Sequence, residues 1–194
     1  MDVDSVNRPQ TTAYARERVS DGHAHPAGNR LMSMTDVLTV RGGFLALAAL
    51  ATGLAAGLFY TFDVAVMRGL ASTDDRTFVV AMREINIKIL NGLFAFSFGG
   101  ALVFTLVALG LNRSGPTVWW IVAAAVLYAV QLGITFRINV PLNNALLADG
   151  DPAKMTDPHP VRAAFEAKWV RWNHVRTLLC AGAFGSLCWA LTQV

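Results

Sequence analysis

The sequence predicts an all-α integral membrane protein: an antiparallel four-helix bundle whose helices extend beyond the bilayer on one side. Two observations carry the fold class. Of the 194 residues, 54% are hydrophobic and only 15% are charged, where a soluble domain of this size carries about 25% charged residues. The deficit is also concentrated. Stretches 42–62, 92–112, 114–136 and 177–194 contain no Asp, Glu, Lys, Arg or His, and each is close to the roughly 20 residues that a helix needs to cross a bilayer. A soluble enzyme, a secreted disulfide scaffold and a disordered chain are excluded. A mean hydropathy of +0.44 agrees.

Residues 1–35 are rich in Arg, Asp, Thr, Pro and Gly and lack apolar periodicity, so a disordered tail is expected there. His23 and His25 in this tail read as solvated bystanders rather than metal ligands. The first apolar run starts at Gly42, too late for the apolar core of a cleaved signal peptide. Residues 36–194 form a single transmembrane domain of four helices, at 36–70, 74–111, 116–147 and 159–194. Ser72, Thr73 and Asp74 offer N-cap oxygens to the second helix, and Asp75 places an acid in its first turn. Gly115 and Pro116 separate the second helix from the third. The loop at 149–160, with one Gly and three Pro, leads into the fourth. Gly53 and Gly57 make a small-xxx-small step of the kind that lets helices approach closely. Cys180 and Cys188 fall near one face of one helix, where a mutual disulfide is excluded by geometry.

A helix of about 35 residues is about 50 Å long, against a hydrocarbon core of about 30 Å. The connection at 112–115 is short and the fourth apolar run reaches Val194, so the surplus length gathers at the opposite end. There the end of helix one, the start of helix two, the end of helix three and the start of helix four meet. The unusual polar residues lie at the same end. They are Tyr60, Asp63 and Arg68; Arg83, Glu84, Asn86, Lys88 and Asn91; Gln131, Thr135, Arg137, Asn139, Asn143 and Asn144; and a series from Arg162 to Arg176. Polar groups at membrane depth are costly unless paired, which makes such a cluster a functional-site candidate.

Spacing sharpens it. Gln131, Thr135, Asn139 and Asn143 recur every four residues, as one polar stripe on helix three. Arg162, Glu166, Trp169, Asn173, Arg176 and Cys180 alternate steps of four and three on helix four. Tyr60, Asp63 and Met67 share a face of helix one, and Arg83, Asn86 and Leu90 a face of helix two. Pro141 lacks an N–H and leaves the carbonyl of Arg137 without its helical donor. Bland readings compete: Gln131 and Thr135 fit interhelical glue, Glu84 and Lys88 an ordinary i,i+4 pair, and Trp119 and Trp120 a membrane-edge anchor. Trp169 and Trp172 could anchor the other edge. His174 stands one step off the helix-four stripe. No His, Cys or carboxylate pair near the cluster has the spacing of helix-borne metal ligands, so no metal and no resident cofactor is expected.

The run Arg137-Ile-Asn-Val-Pro-Leu-Asn143, followed by Phe165-Glu-Ala-Lys-Trp-Val-Arg-Trp-Asn-His-Val-Arg176, resembles the signature of the anthrone oxygenase family of small four-helix membrane proteins. The stretch from Ala81 through Ile85-Asn86 to Phe94 is similar to that family's second helix, and the resemblance spans residues 43–180. The matching positions are Asn86, Asn139, Pro141, Asn143, Trp169, Asn173 and Arg176. The resemblance implies a monooxygenase that converts an anthrone-like, polyketide-type aromatic to a quinone, with dioxygen as co-substrate. Under it, Arg176 with Asn139 or Asn173 holds an oxyanion, Asn143 belongs to the catalytic group, and Trp169 stacks on the rings. Glu166, Asp63 or His174, in that order, is the base. Tyr60, Asp63, Asn86 and Thr135 complete a substrate pocket. Expected partners are the lipid bilayer and a small hydrophobic aromatic ligand, and nothing points to nucleic acid or fixes an oligomeric state. The competing class is a non-catalytic membrane binding or accessory protein. A plasma-membrane location is expected, with the cluster facing the cytoplasm.

Overall fold

A computed structural model of the protein describes the backbone of residues 34–194 and the side chains from residue 39 on. The tail expected at 1–35, with His23 and His25, lies almost wholly outside the described residues. Helix α1 comprises Met34–Thr61, a π turn at Phe62–Val66 and a final segment Met67–Ala71. Helix α2 is Asp75–Lys88. Helix α3 comprises Gly92–Phe94, a π turn at Ala95–Gly99 and Gly100–Leu111. Helix α4 comprises Thr117–Ile134, a π turn at Thr135–Asn139 and Val140–Ala148. After a short 3-10 turn at Pro152–Lys154, helix α5 runs His159–Leu191.

Four of these stretches are long and apolar enough to cross a membrane: Thr39–Ala71, Gly92–Leu111, Thr117–Ala148 and His159–Leu191. They close a ring in which α1 packs on α3 and α5, and α4 packs on the same two helices. The chain is an integral membrane four-helix bundle. Helix α2 lies at its extended end, against the first half of α5 and the last turns of α4.

The second helix departs from the sequence expectation by breaking in two. Asn91 adopts extended backbone angles, and its Oδ1 accepts from the N–H groups of Leu93 and Phe94 at 3.0 and 3.1 Å. Its Nδ2 donates to the carbonyl of Lys88 at 3.0 Å. One side chain thus ends α2 and starts α3, because an Asn amide competes with the backbone for its own hydrogen bonds. Asn91 is therefore a cap and not part of the polar cluster. At the start of α2 the cap is Asp74, which accepts from the Thr77 N–H at 3.0 Å and the Thr77 hydroxyl at 2.6 Å. Both bonds hold the Asp74 carboxyl below its ordinary value, the hydroxyl's contribution being the larger. The connections to α4 and α5 turn on Gly115 and Gly150, at φ +83 and +86, where a side chain would be strained.

Carbonyls in and just before the π turns receive side-chain donors. Thr61 donates to Gly57 O, Asn173 to Phe59 O, Tyr128 to Phe98 O and Thr135 to Gln131 O. This is the expected response where a wider turn disturbs the i→i+4 ladder. The core has two parts. One is built largely from alanines of α1, α3, α4 and α5 with Leu45, Ile121 and Leu187; the other, at the extended end, from Phe62, Met67, Phe78, Met82, Phe165 and Trp169. Of the two small-step glycines, Gly53 packs against the ring of Phe184 and Gly57 faces open space, so they do not form a backbone-to-backbone contact. Cys180 and Cys188 are free thiols.

Candidate functional site

A cavity of about 210 Å³ opens at the level of the three π turns. Helix α1 contributes Leu58, Phe59 and Phe62, and the end of α2 contributes Ile85, Asn86, Ile89 and Leu90. Phe94 and Phe98 come from α3, across the break at Asn91. Helix α4 gives Thr135, Phe136, Asn139, Val140, Asn143, Asn144 and Leu147, and α5 gives Trp169 and Arg176. Leu90, Phe136 and Asn144 are exposed on the outside of the bundle and mark the mouth.

The π turn in α4 explains why that helix presents its polar residues together. Twelve residues of regular α-helix, from Gln131 to Asn143, turn through about 3.3 turns and leave the last residue about 120° off the first. One extra residue taken up by a π turn removes about 100° of that drift. A spacing of four, which a pure α-helix would wind away, becomes a straight stripe. On α5 the alternation of four and three already matches the α-helical repeat, and the helix is regular throughout.

Arg176 is the electrostatic centre. It is 5% exposed, with its guanidinium carbon 4.4 Å from the centroid of the Phe59 ring and 5.4 Å from that of Trp169. Nη2 donates to Asn173 Oδ1 at 2.7 Å, and Nη1 reaches Thr135 Oγ1 at 3.5 Å. Its Nε has no partner. Among the described residues no carboxylate forms an ion pair with it. Asn139, 1% exposed, has neither its amide nitrogen nor its oxygen bonded, and the Asn86 amide nitrogen is also unpartnered. Buried polar atoms are almost always satisfied. Three residues that break this rule around one cavity make it the candidate functional site. Gln131 Nε2 and Thr52 Oγ1, unpartnered as well, lie outside it. Trp169 is fixed by a 2.9 Å bond from Nε1 to Asn143 Oδ1 and by contacts with Phe62 and Phe165.

The other sequence-predicted residues fall elsewhere. Asp63 sits behind Arg176, where it accepts from Asn173 Nδ2 and, at 2.6 Å, from the Thr177 hydroxyl. His174 Nδ1 lies 2.9 Å from the same carboxylate. Asn173 also donates to Phe59 O at 3.0 Å, so its amide has its nitrogen toward Asp63 and its oxygen toward Arg176. Asp63, His174 and Tyr60 line a separate shallow groove with Arg68 and Thr177. Glu166 is held by Arg162, whose Nε donates to the carboxylate at 2.7 Å, and Arg162 also binds Asp75 and the carbonyls of Thr73 and Ala71. That network staples α5 to the α1–α2 turn and does not reach the cavity. Arg83 caps the end of α4 through the carbonyls of Leu146 and Leu147, and Arg76 does the same for the loop carbonyls of Pro152 and Met155. The cavity's aromatic walls, Phe59, Phe62, Phe94 and Phe98, went unnoticed in the sequence because a Phe in an apolar run looks like core. Among the described residues no group of three His, Cys, Asp or Glu is placed to hold a metal ion.

Comparison with known proteins agrees with the signature. The family description "Anthrone oxygenase" matches residues 84–186, more than half of the chain. The match takes in Asn86, Asn139, Asn143, Trp169, Asn173 and Arg176 and leaves out α1. No curated protein and no solved structure matches the chain. Asn86, Thr135, Asn139, Asn143, Trp169 and Arg176 line the cavity and fall within the matched segment, and the chain belongs to the anthrone oxygenase family.

Proposed function

We propose that the protein is a membrane-bound monooxygenase that oxidises a small anthrone-like aromatic with dioxygen in the Arg176 cavity. The observation that carries this reading is the buried Arg176 guanidinium, held between two aromatic rings with its Nε unpartnered in a cavity that the unsatisfied amide of Asn139 also lines. Such a group is placed to stabilise negative charge that develops on a ring oxygen. A cavity of about 150 Å³ holds one benzene ring, so a cavity somewhat larger encloses about one to two fused rings. A tricyclic ligand then projects its far ring through the mouth at Leu90 and Phe136.

The chemistry balances with two reactants. Loss of a ring-methylene proton leaves an anion whose charge rests on the carbonyl oxygen. That anion reduces dioxygen, and a C–O bond forms at the former methylene carbon. The resulting peroxide anion takes up a proton to give a hydroperoxide, which then loses water: the O–O bond breaks, the remaining C–H proton leaves with the departing hydroxide, and a second carbonyl forms. Anthrone plus dioxygen gives anthraquinone plus water. Because the anion itself is the reductant, this reading calls for dioxygen and no resident cofactor. Arg176 holds the oxyanion, Asn139 and Asn86 bond to neighbouring ring oxygens, and Trp169 walls the rings. Asn173 and Asn143 fix Arg176 and Trp169 respectively. The location in this reading is the plasma membrane.

The test is anthrone-dependent oxygen uptake by the detergent-purified protein, corrected for spontaneous autoxidation. Wild-type protein should consume one dioxygen per anthraquinone formed. Arg176→Ala should lose about 10²–10³-fold in turnover, as when an oxyanion donor is removed, while its thermal stability stays near wild type. Uptake no greater than the autoxidation blank would sink the reading.

A further inference from the structure

Among the described residues lining the cavity, Arg176 alone carries a full charge. The other polar groups there are neutral: the amides of Asn86, Asn139, Asn143 and Asn144 and the hydroxyl of Thr135. Asp63 is the nearest acid in the bonding network, but Asn173 separates it from Arg176 and its own lone pairs are taken up by Asn173, Thr177 and His174. The cavity therefore presents one positive charge inside an apolar, aromatic wall. A buried ion without a contacting counter-ion is expensive, and its attraction for an opposite charge is strongest where water is excluded.

A neutral ligand would leave that cost in place, and a ligand with one negative charge removes it. The shape of the site narrows the anion further. The guanidinium is pressed between Phe59 and Trp169, and Nη2 is committed to Asn173. What remains suits a single oxygen on the edge of a flat ring. The idle amide of Asn139, one donor group and one acceptor, matches a hydroxyl or carbonyl on the adjacent ring position.

We infer that the cavity selects its aromatic ligand as the oxyanion, a phenolate or enolate already deprotonated in water, and that no side chain of the site takes the proton. This deepens the oxygenase reading of the same cavity and rests on it for the identity of the substrate. In the ionisation the ligand's O–H or methylene C–H bond breaks, the electron pair stays on the ligand, and the proton passes to water or hydroxide outside the cavity. The three acids and bases singled out from the sequence then serve structure: Glu166 in the Arg162 staple, Asp63 and His174 behind Asn173.

The probe is 4-nitrophenol, a single ring whose absorbance distinguishes the phenol from the phenolate and which needs neither dioxygen nor turnover. Binding to the full-length protein in detergent is measured across pH, with empty micelles as the blank. The bound ligand should be ionised at pH values where free nitrophenol is still largely protonated. Its affinity should rise about tenfold per pH unit until the ligand's own pKa is reached. Arg176→Gln should weaken phenolate binding about 10- to 100-fold, and Arg176→Lys should keep the preference for the anion. The wild-type titration decides by itself if the Gln variant fails to fold. Neutral nitrophenol in the wild-type site, affinity that does not change with pH, or no binding at millimolar ligand each overturns the inference. The two readings fail separately. Phenolate binding without anthrone-dependent oxygen uptake leaves an anion site that is not an oxygenase; oxygen uptake alongside binding of the neutral phenol leaves an oxygenase that does not select the anion.

Discussion

Helices α1 and α5 run through two very different interiors. In one half most of their buried residues are alanines: Ala48, Ala51 and Ala55 on α1 and Ala183 and Ala190 on α5, beside Leu45 and Leu187, cluster with Ala101, Ala108 and Ala124 from the other two helices. Further along the same two helices the inward residues are Phe59, Phe62, Trp169 and Arg176. Alanines let helices approach closely and leave no room between them, which is how apolar helices gain dispersion contacts in lipid, where the hydrophobic effect gives them nothing. Rings and a guanidinium hold the helices apart, and the cavity of about 210 Å³ is the result. The unsatisfied amide and guanidinium atoms there cost about 1–3 kcal/mol each when empty. The comparison teaches a division of labour: one half of the bundle supplies stability and the other spends it on the cavity proposed to bind a ligand.

Substitutions can break this comparison from either side. The largest structural effect is expected for Ala183→Leu, which forces three extra carbons into the alanine half. It should destabilise the bundle by about 1–3 kcal/mol, seen as a lower Tm in detergent, while turnover per folded molecule is unchanged. In the cavity half, Asn139→Leu should do the reverse. It replaces an unsatisfied buried amide with an apolar group of similar shape, which is neutral or stabilising. The Tm should not fall, and turnover should drop about tenfold as a ligand hydrogen bond is lost. If Asn139→Leu lowers the Tm and Ala183→Leu does not, the assignment of the two halves is inverted. The smallest effect belongs outside both, at the Asp74 cap. Its folded carboxyl titrates below the ordinary 3.8, so its contribution is complete above that value and disappears as pH falls through the lower folded value. Wild type and Asp74→Ala should differ slightly in Tm at neutral pH and converge in strong acid.

Much of this plan was legible in the sequence, for identifiable reasons. Uncharged runs of bilayer length mark the spans because lipid tolerates few charges. The α5 stripe was readable because its steps of four and three are the α-helical repeat, and it led to Trp169, Asn173 and Arg176. The α4 stripe was legible for a subtler reason: strict spacing by four is the period of a helix carrying a π turn, so the sequence held a sign of the turn that was read only as a polar face. Three features escaped. Asn91 looked like one more polar residue in a cluster, although an Asn between two helical stretches is also a strong cap. Glu166 shares the α5 stripe with the site, yet Arg162 stands four residues before it, a spacing that makes an ion pair on one helix and takes the carboxylate out of the cavity. The aromatic walls could not be told from core, because burial and pocket lining ask for the same residue types.

The break at Asn91 has a mechanical meaning. Ile89 and Leu90 line the cavity on one side of it, and Phe94 and Phe98 on the other, so the two arms of a joint wall the same cavity. A ligand lodged there acts as a splint: whatever it gains by touching both arms is lost if the angle between α2 and α3 changes. Occupancy of the site is thereby tied to the stiffness of that joint, and amide exchange around Asn91 should slow when the site fills.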